Sequence, residues 1–336
     1  FLLKLNGKRS LLQDTLARAR KLVRLSNIIV VTNKEHLKHI KREIPGLSSR
    51  NIIAEPVSRN TAACVCLAAS LVRKRDPKGV ICIMPADHII DNANLKEIFN
   101  FSYLLASMKE SIITLGIKPT YPATGYGYIK AGKFCKRLIS KGRSDAYKVA
   151  KFVEKPTAAK AKSYIKAKNY FWNSGIFVGK AQTFIDEFKR LKPGIYKVSQ
   201  KIDKYLGTSK QQMALDRDFK KFPDISLDYA IMEKTRLAYV VRSDLRWQDV
   251  GSWLSVQDQF KKDRGDNIFQ GNVLGIDIKD SIVMGEDGHL VAVLGLKGLV
   301  VVQTKDATLI CPKYRAQETK KLVELLSRKR SLSKFV

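Results

Sequence analysis

Short apolar runs alternate with segments of helical periodicity through the first 117 residues, and this alternation constrains the fold more than any other feature of the chain. The apolar runs lie at 27–32, 51–55, 80–84 and 111–117. A strand buried on both faces is apolar throughout, and strands separated by helices of this length form βαβ units. The sequence therefore predicts an α/β fold with a mixed, mostly parallel sheet.

The pattern of apolar residues in the sequence changes at about Gly265. Short β-rich pieces separated by turn residues follow, and helical periodicity returns only at 315–327. Before this change, the segment 227–235 has the pattern of one more helix. We therefore predict two domains: an α/β domain at 1–264 and a small β-rich domain with a closing helix at 265–330.

The chain is strongly basic: 62 Lys and Arg residues against 31 Asp and Glu residues give a formal net charge of +31. Between Lys130 and Lys168, 13 basic residues stand against two acidic ones. Such a charge attracts polyanions, but few aromatic residues interleave with it as a base-stacking platform requires. A solvated basic surface is favoured over a nucleic-acid site, and a polyanion binder stays as an alternative.

Other bulk features exclude several classes of protein. No apolar run approaches the roughly 20 residues of a membrane helix, so no membrane association is expected. Five scattered cysteines without a CxxC pair indicate reduced thiols, as in a cytoplasmic protein. Because the four histidines are also scattered, a zinc site is disfavoured. Any metal is expected to be a hard cation such as Mg²⁺, held by carboxylates and phosphate oxygens.

Two carboxylates follow predicted strands and are candidate metal ligands. Asp87 comes after the run 80–84, and Asp249 follows a strand beside a glycine turn. If both strands belong to one sheet, the two carboxylates could converge on one Mg²⁺ that neutralises triphosphate charge during an in-line displacement. The alternative for Asp87 is an ordinary capping residue in a βα loop. His88 is assigned no ligand role.

Two further loops carry groups suited to phosphates and sugars. Arg59 and Asn60 precede Thr61, which is predicted to cap a helix, and a helix N-terminus beside an arginine suits a nucleotide phosphate. The alternative is a common helix cap. Glu154 and Lys155 end another strand, where Glu could bind sugar hydroxyls and Lys a phosphate; a surface ion pair is the alternative.

Several of these motifs occur in a fixed order, and the ordered set resembles one family. The segments are EPVSRNTAACVCLAA, MPADHII, GIKPTYPATGYGYI, FVEKP, FWNSGIFV, SLDYAIME and WQDVGSW. The chain resembles the mannose-1-phosphate guanylyltransferases, the bacterial GDP-mannose pyrophosphorylases, over about residues 1–327. The resemblance implies a Rossmann-like, GT-A-like nucleotidyltransferase domain and a C-terminal domain of the left-handed β-helix type.

The resemblance also implies a reaction and roles for particular residues. GTP and mannose 1-phosphate would give GDP-mannose and pyrophosphate, with the sugar phosphate oxygen attacking the α-phosphorus of GTP. Asp87 and Asp249 match the metal-binding acids, and Lys155 matches a lysine near phosphate or sugar. The remaining positions match the nucleotide loop at Arg59, Asn60 and Thr61 and the sugar pocket at Gly127, Glu154, Asn173 and Asp228.

The chain departs from the family pattern in two places. The family opens with a strand and a glycine-rich loop that precede the segment at Phe1, so the chain as given is expected to be an inactive or weakly active fragment. Ala123 stands where the family usually has Glu. A non-catalytic regulatory homologue and a transferase for another sugar 1-phosphate are the alternative functions. The oligomeric state stays open, with a homodimer as one candidate.

Overall fold

The computed structural model describes residues 9–91, 94–138, 144–250, 257, 260–286, 288–329, 331–332 and 335. The chain divides into two compact units. The larger unit contains Leu12–Ala86 and Ile90–Trp247, and the smaller contains Phe1–Leu11, Asp87–Ile89 and Gln248–Val336. In the described part of the chain, no helix has the length and apolar content needed to cross a membrane.

The helices are α1 Leu11–Arg20, α2 Leu37–Glu43, α3 Asn60–Arg75, α4 Leu95–Met108, α5 Ala158–Lys166, α6 Ala181–Leu191, α7 Pro193–Asp203, α8 Gln211–Asp218 and α9 Thr319–Arg328. The strands are β1 Val30–Asn33, β2 Ile52–Glu55, β3 Val80–Ile83, β4 His88–Asp91, β5 Ile112–Ile117, β6 Tyr128–Leu138, β7 Ser144–Val153, β8 Tyr170–Lys180, β9 Ala238–Ser243, β10 Arg246–Asp249, β11 Ile268–Gln270, β12 Val273–Ile276, β13 Ile282–Met284, β14 Val291–Leu294, β15 Leu299–Gln303 and β16 Thr308–Pro312.

The main sheet of the larger unit has six strands in the order β3-β8-β5-β9-β7-β6, with β6 also pairing with β8. The sheet is mixed, as predicted, but the prediction of mostly parallel pairing is wrong. Strands β3, β5, β9 and β6 run in one direction, whereas β8 and β7 run in the other. Because the two reversed strands lie between the others, β5–β9 is the parallel contact in this sheet and its other pairs are antiparallel.

Apolar side chains cover both faces of this sheet, and β5 shows why. Its side chains alternate between the faces, so Ile112 joins one core cluster while Ile113 and Leu115 join the other. Helices α3, α6 and α7 contribute to the first cluster, and α4 and α5 to the second. The larger unit is therefore a three-layer α/β structure.

Besides the strands of the β-rich domain, two strand pairs of the described residues lie outside the main sheet. β1 and β2 form a separate parallel pair, and β10 pairs with β4. The prediction placed Asp87 at the end of the strand that became β3, but β3 ends at Ile83 and Asp87 directly precedes β4. Asp249 is the last residue of β10, as a strand-end residue should be. The end of the WQDVGSW motif, 251–253, lies outside the described residues.

The segment predicted as a helix at 227–235 contains a π turn, Asp228–Met232. The Glu233 N–H donates to the Asp228 carbonyl at 3.0 Å, which is the i→i+5 bond of a π-helix. The spacing of apolar residues in the sequence does not distinguish such a turn from an α-helix. The wider turn changes the direction in which Asp228 leaves the backbone, and single π turns are common at functional sites.

The smaller unit has the repeating parallel strands of a β-helix-type domain. Ile268 of β11 aligns with Ile282 of β13, which aligns with Val300 of β15, and β16 closes this sheet in the antiparallel sense. β12 and β14 form a second parallel pair. The predicted closing helix at 315–327 is present as α9.

Candidate active site

Three elements of the larger unit bring together the polar residues that the resemblance assigns to a sugar pocket. Glu154 directly follows β7, Asn173 lies within β8, and Asp228 begins the π turn. Gly127 directly precedes β6, and its carbonyl accepts a hydrogen bond from the Asn173 N–H at 2.8 Å. This backbone hydrogen bond therefore fixes Gly127 and Asn173, two of the four predicted sugar-pocket residues, against each other.

The Asn173 side chain is held in one orientation by its partners. Its Oδ1 accepts hydrogen bonds from Thr114 Oγ1 at 3.2 Å and from the Gly175 N–H at 3.1 Å. Its Nδ2 donates to Asp228 Oδ1 at 2.9 Å. Because both donors to Oδ1 are fixed by strands of the main sheet, the Asn173 amide presents its N–H groups on the Asp228 side.

Glu154 is the most unusual group in this set. Its side chain is only 12% exposed, and its Oε2 is buried without a hydrogen-bond partner among the described residues. Buried carboxylate oxygens are normally satisfied, so this oxygen is an acceptor open to a donor from a ligand or a water molecule. The Oε2 atom faces Gly127, where a Cβ would lie 2.5 Å away. Glycine at 127 thus leaves room for Glu154 and for close approach of a ligand.

Burial and neighbouring acids set the electrostatics of this site. Desolvation, followed by repulsion from Asp228, raises the pKa of Glu154 to about 7, although Lys155 opposes the rise. Burial also raises the pKa of Asp228, while the hydrogen bond from Asn173 opposes that rise. The raised pKa values of Glu154 and Asp228 favour the protonated forms of these carboxyl groups. Hydrogen-bond donors of a ligand would stabilise the ionised forms.

Two residues of this site escaped the sequence prediction. Thr114 fixes Asn173, and Glu233 Oε1 accepts a hydrogen bond from the Glu154 N–H at 3.2 Å. A threonine within the apolar run SIITLGI was the available signal for Thr114. Glu233 gave no signal, because an acidic residue near the end of a predicted helix is ordinary.

Lys155 lies beside this cluster with a solvent-exposed side chain. Its Nζ lies 3.8 Å from Glu154 Oε1, and its backbone has a φ of 45°. Left-handed backbone at a non-glycine residue is uncommon and concentrates at functional sites. The ion pair with Glu154, which was the alternative interpretation of these two residues, is thus present, but its carboxylate is buried and only the ammonium group is exposed to solvent.

An aromatic cluster adjoins the polar residues in sequence and in space. Tyr126 and Trp172, which precede Gly127 and Asn173, have ring centroids 5.3 Å apart. Trp247 lies 5.1 Å from Tyr126, and Tyr121 lies 4.9 Å from Trp172. Edge-to-face packing of this kind makes a rigid wall. It holds β8, which carries Asn173, against the residues just before β6, which include Gly127.

The predicted nucleotide loop begins α3, but the cap is not Thr61. The helix starts at Asn60, which has a φ of 58°, and Arg59 is the N-cap residue. Thr61 Oγ1 instead accepts a hydrogen bond from the Leu227 N–H at 2.9 Å. Arg59 Nη2 donates to the Lys220 carbonyl at 3.0 Å. The start of α3 is thereby tied to the segment that leads into Asp228, because Leu227 is its neighbour.

Asp87 and Asp249, the two predicted metal ligands, both lie near one ring nitrogen of His88 in the smaller unit. His88 Nε2 is 3.9 Å from Asp87 Oδ1 and 3.8 Å from Asp249 Oδ1. Across the described residues, no group of three or more His, Cys, Asp and Glu side chains forms a metal site. Two carboxylates within 4 Å of the same nitrogen are compatible with Mg²⁺, which commonly uses one or two carboxylates and otherwise water and phosphate oxygens. Their role as ligands stays a prediction.

Two family models match the chain. Residues 1–265 match the model described as nucleotidyl transferase, and residues 271–326 match the MannoseP isomerase/GMP-like beta-helix domain. The chain belongs to the nucleotidyl transferase family. This membership agrees with the three-layer larger unit and the repeating parallel strands of the smaller one, and it confirms the predicted nucleotidyltransferase domain with a mixed sheet and the predicted C-terminal β-helix-type domain.

Individual members of the nucleotidyl transferase family give a finer comparison. Mannose-1-phosphate guanylyltransferase RfbM of Salmonella typhimurium LT2 is 37% identical to the chain, over 97% of the chain and 67% of the relative. A mannose-1-phosphate guanylyltransferase of Klebsiella pneumoniae is 35% identical over 96% of the chain and 68% of the relative. The family resemblance found in the motifs is therefore confirmed across nearly the whole chain.

Solved structures show the same fold. The structure of a Thermus thermophilus protein described as mannose-1-phosphate geranyltransferase has a TM-score of 0.79 and 29% identity, covering 96% of this chain and 90% of that one. A Helicobacter pylori structure described as mannose-6-phosphate isomerase has a TM-score of 0.60 and 25% identity, covering 74% of this chain and 93% of that one.

Proposed function

We propose that this protein is a mannose-1-phosphate guanylyltransferase, which converts GTP and mannose 1-phosphate into GDP-mannose and pyrophosphate. In this reaction an oxygen of the sugar phosphate forms a bond to the α-phosphorus of GTP. The bond between that phosphorus and the bridging oxygen of the β-phosphate breaks, and the electron pair leaves with pyrophosphate. No covalent bond to the protein is needed, so binding and charge stabilisation supply the catalysis.

The observation that carries the proposal is the buried, unpartnered Oε2 of Glu154 opposite Gly127. A hydroxyl group that donates to Oε2 would satisfy it and favour the ionised carboxylate. The Asn173 amide, fixed by Thr114 and Asp228, lies next to the same space. An acceptor carboxylate beside an oriented amide is the arrangement that recognises vicinal sugar hydroxyls.

The remaining residues have supporting roles in this proposal. Lys155 offers an exposed ammonium group to a phosphate, and the loop of Arg59, Asn60 and Thr61 serves the nucleotide. Asp87 and Asp249 would hold Mg²⁺, which supplies charge neutralisation to phosphate oxygens when bound. The protein's own contribution is to fix these groups on strand ends and on the start of α3.

Binding of mannose 1-phosphate tests the proposed sugar site directly. Calorimetric titration should give binding that Glu154→Gln weakens about ten- to a hundredfold, because hydrogen bonds to charged groups contribute about 1.5–3 kcal/mol. Glu35→Gln, which removes an exposed carboxylate from the larger unit, serves as the matched control. Unchanged affinity in Glu154→Gln would contradict the sugar assignment.

Transfer itself needs a separate measurement. With GTP, mannose 1-phosphate and Mg²⁺, we expect weak pyrophosphate release that depends on both substrates. Asp87→Asn together with Asp249→Asn should abolish it while leaving sugar phosphate binding unchanged. Pyrophosphate release that survives in this double variant would refute the metal assignment. Sugar phosphate binding without any transfer would refute the catalytic proposal but keep the sugar site.

A further inference from the structure

One side of the larger unit carries lysines on two neighbouring structures, the β6–β7 pair and helix α5. Lys130 of β6 lies directly opposite Lys151 of β7. Residues two apart on a strand share a face, so Lys130 lies on the same side of the sheet as Tyr128. The Tyr128 ring contacts Tyr164 of α5, with centroids 5.4 Å apart. The lysine pair therefore lies on the side of the sheet that α5 covers.

The end of α5 brings three more lysines to this side. Lys162 and Lys166 are one helical turn apart, Lys168 follows two residues after the helix, and all three are exposed. The Ala131 N–H donates to the Asn169 carbonyl at 2.9 Å, so the chain after α5 joins β6 immediately after its lysine. We call the five residues the basic face: Lys130, Lys151, Lys162, Lys166 and Lys168.

The basic face contains two pairs of like charges, and each pair costs stability. Lysines directly opposite in an antiparallel pair repel each other, and so do lysines at i and i+4 on a helix. The acids between residues 130 and 168 are Asp145 and Glu154. Asp145 pairs with Arg137 at 2.6 Å, and Glu154 lies 3.8 Å from Lys155. Among the described residues, no lysine of the basic face has a carboxylate oxygen within 4 Å. A surface with such unbalanced repulsion is suited to a partner that supplies negative charge.

The aromatic residues beside the basic face argue against a nucleic acid as this partner. The Tyr164 and Tyr170 rings stack on each other, with centroids 4.1 Å apart and an interplanar angle of 11°. Lys130 Nζ lies 6.0 Å from the centroid of the Tyr170 ring. Because these rings are half-buried and stack on each other, they are poorly placed to stack on bases. The basic face also has no arginine, the residue that binds phosphate groups in a bidentate manner.

The distribution of apolar side chains argues against a lipid bilayer as this partner. Among the described residues of 128–168, Phe134 is the exposed large apolar side chain. Phe134 packs on Tyr147, which belongs to the core on the opposite side of the sheet from Tyr128. Lysines that hold a protein on a membrane surface normally act together with an inserted apolar group or a lipid anchor. The basic face therefore fits an acidic protein segment better than a bilayer.

We propose that the basic face is a docking surface for an acidic segment of a partner protein, whose Asp and Glu carboxylates pair with the five lysines. The Cβ atoms within each like-charge pair are roughly 5–6 Å apart. Side chains on one side of an extended segment repeat about every 7 Å, so an extended run of acidic residues can place a carboxylate beside each pair. Docking would relieve the repulsion within the pairs, and binding is thereby linked to folding stability. The surface uses none of the residues assigned to the sugar site.

Binding of fluorescently labelled poly-L-glutamate to the full chain tests the proposal, with anisotropy as the measurement. Lys130→Gln together with Lys151→Gln should weaken binding roughly fivefold or more, because two ion pairs are lost. Lys38→Gln together with Lys41→Gln removes the same charge from the exposed side of α2 and should weaken binding less than about twofold. Equal losses in the two double variants would mean that binding follows net charge alone, and would overturn the docking surface.

Thermal melts give a second measurement with the opposite sign. Without ligand, the Lys130→Gln, Lys151→Gln chain should melt at a higher temperature than the unmodified chain, because a repulsive pair is removed. Weaker binding by a more stable chain would support the docking surface, since misfolding would lower the melting temperature. Poly-L-glutamate should raise the melting temperature of the unmodified chain more than that of this variant.

Competition distinguishes an acidic protein segment from other polyanions. Poly-L-glutamate should displace single-stranded poly(U) RNA from the chain and should bind more tightly than vesicles of phosphatidylglycerol, compared at equal concentrations of negative charge. Tighter binding of the RNA or of the vesicles, lost in the Lys130→Gln, Lys151→Gln chain, would overturn the proposal and assign the basic face to nucleic acid or to lipid.

Discussion

At the scale of single residues, Gly127 controls the space beside Glu154. A Cβ at this position would lie 2.5 Å from Glu154 Oε2 and 3.2 Å from Asn173 Cβ. Gly127→Ala should therefore displace the carboxylate and raise the KM for mannose 1-phosphate roughly tenfold or more, with a smaller effect on the KM for GTP. Gly125→Ala is the matched control, since nothing lies within 4 Å of a Cβ there. Equal effects of the two substitutions would argue against a steric role for Gly127.

Glu154 should also make stability depend on pH. An unfolded chain ionises glutamate near 4.5, whereas the buried carboxyl of Glu154 has a pKa of about 7. Between these values the folded state binds the proton more tightly. The free energy of unfolding should therefore fall as pH rises from about 4.5 to about 7, and this contribution should be constant at higher pH.

Glu154→Gln removes the titrating carboxyl group, so the variant should lack this dependence of stability on pH. At pH 8 the variant should be more stable than the unmodified chain by about 1–3 kcal/mol, and near pH 5 the difference should become small. Urea denaturation at the two pH values measures it. A variant that binds sugar phosphate more weakly yet unfolds at higher urea would show a binding site maintained at a cost in stability. Equal pH profiles would mean that Glu154 titrates normally.

At the scale of elements, the start of α3 and the π turn form one connected structure. The Leu227 N–H donates to Thr61 Oγ1 at 2.9 Å, and Leu227 is buried. Thr61→Val would leave this N–H without its acceptor and should lower the free energy of unfolding by about 1–2 kcal/mol. Because Asp228 follows directly, the KM for mannose 1-phosphate should rise as well.

Thr61→Ser retains the hydroxyl group and is the control for Thr61→Val. The serine variant should keep most of the stability and the affinity for sugar phosphate. If Thr61→Val loses affinity for GTP but keeps its affinity for sugar phosphate, the bond between Thr61 and Leu227 has no bearing on the sugar site. Separate KM values for the two substrates make this distinction.

Local patterns predicted the elements better than they predicted the pairing between them. Apolar runs located the strands, because burial on two faces leaves a direct trace in the sequence. The position of β8 between β3 and β5 left no such trace, since strand order depends on contacts between distant segments. The sequence around Asp228 predicts an ordinary helix rather than a π turn, because one added residue barely alters the periodicity.

The same distinction holds at the candidate site. Glu154, Asn173 and Asp228 were selected through motifs, and the structure brings them together around Gly127. Thr114 acts through Asn173 from within a buried strand, so only its polarity in an apolar run distinguished it. The orphaned Oε2 of Glu154 is a property of the packed structure. No sequence pattern contains it.

At the scale of the whole molecule, the net charge of +31 should oppose folding through long-range repulsion. Lys130 and Lys151 show the effect locally, because they face each other across β6 and β7. Like charges directly opposite in an antiparallel pair are destabilising. At 0.1 M salt, repulsion between exposed charges more than about 10 Å apart is largely screened. The melting temperature should thus rise by several degrees, roughly 2–5 °C, between low salt and 0.2 M NaCl.

Two charge reversals separate local from global repulsion. Lys151→Glu places opposite charges across the two strands, and Lys162→Glu makes the same change of net charge on the exposed side of α5. Both should raise stability at low salt, but Lys151→Glu should raise it more, by about a further 0.2–1 kcal/mol. Thermal melts of the three chains across a salt series measure both effects. If added salt lowers the melting temperature of the unmodified chain, attractive pairs outweigh repulsion, and the basic surface is already neutralised by its own acids.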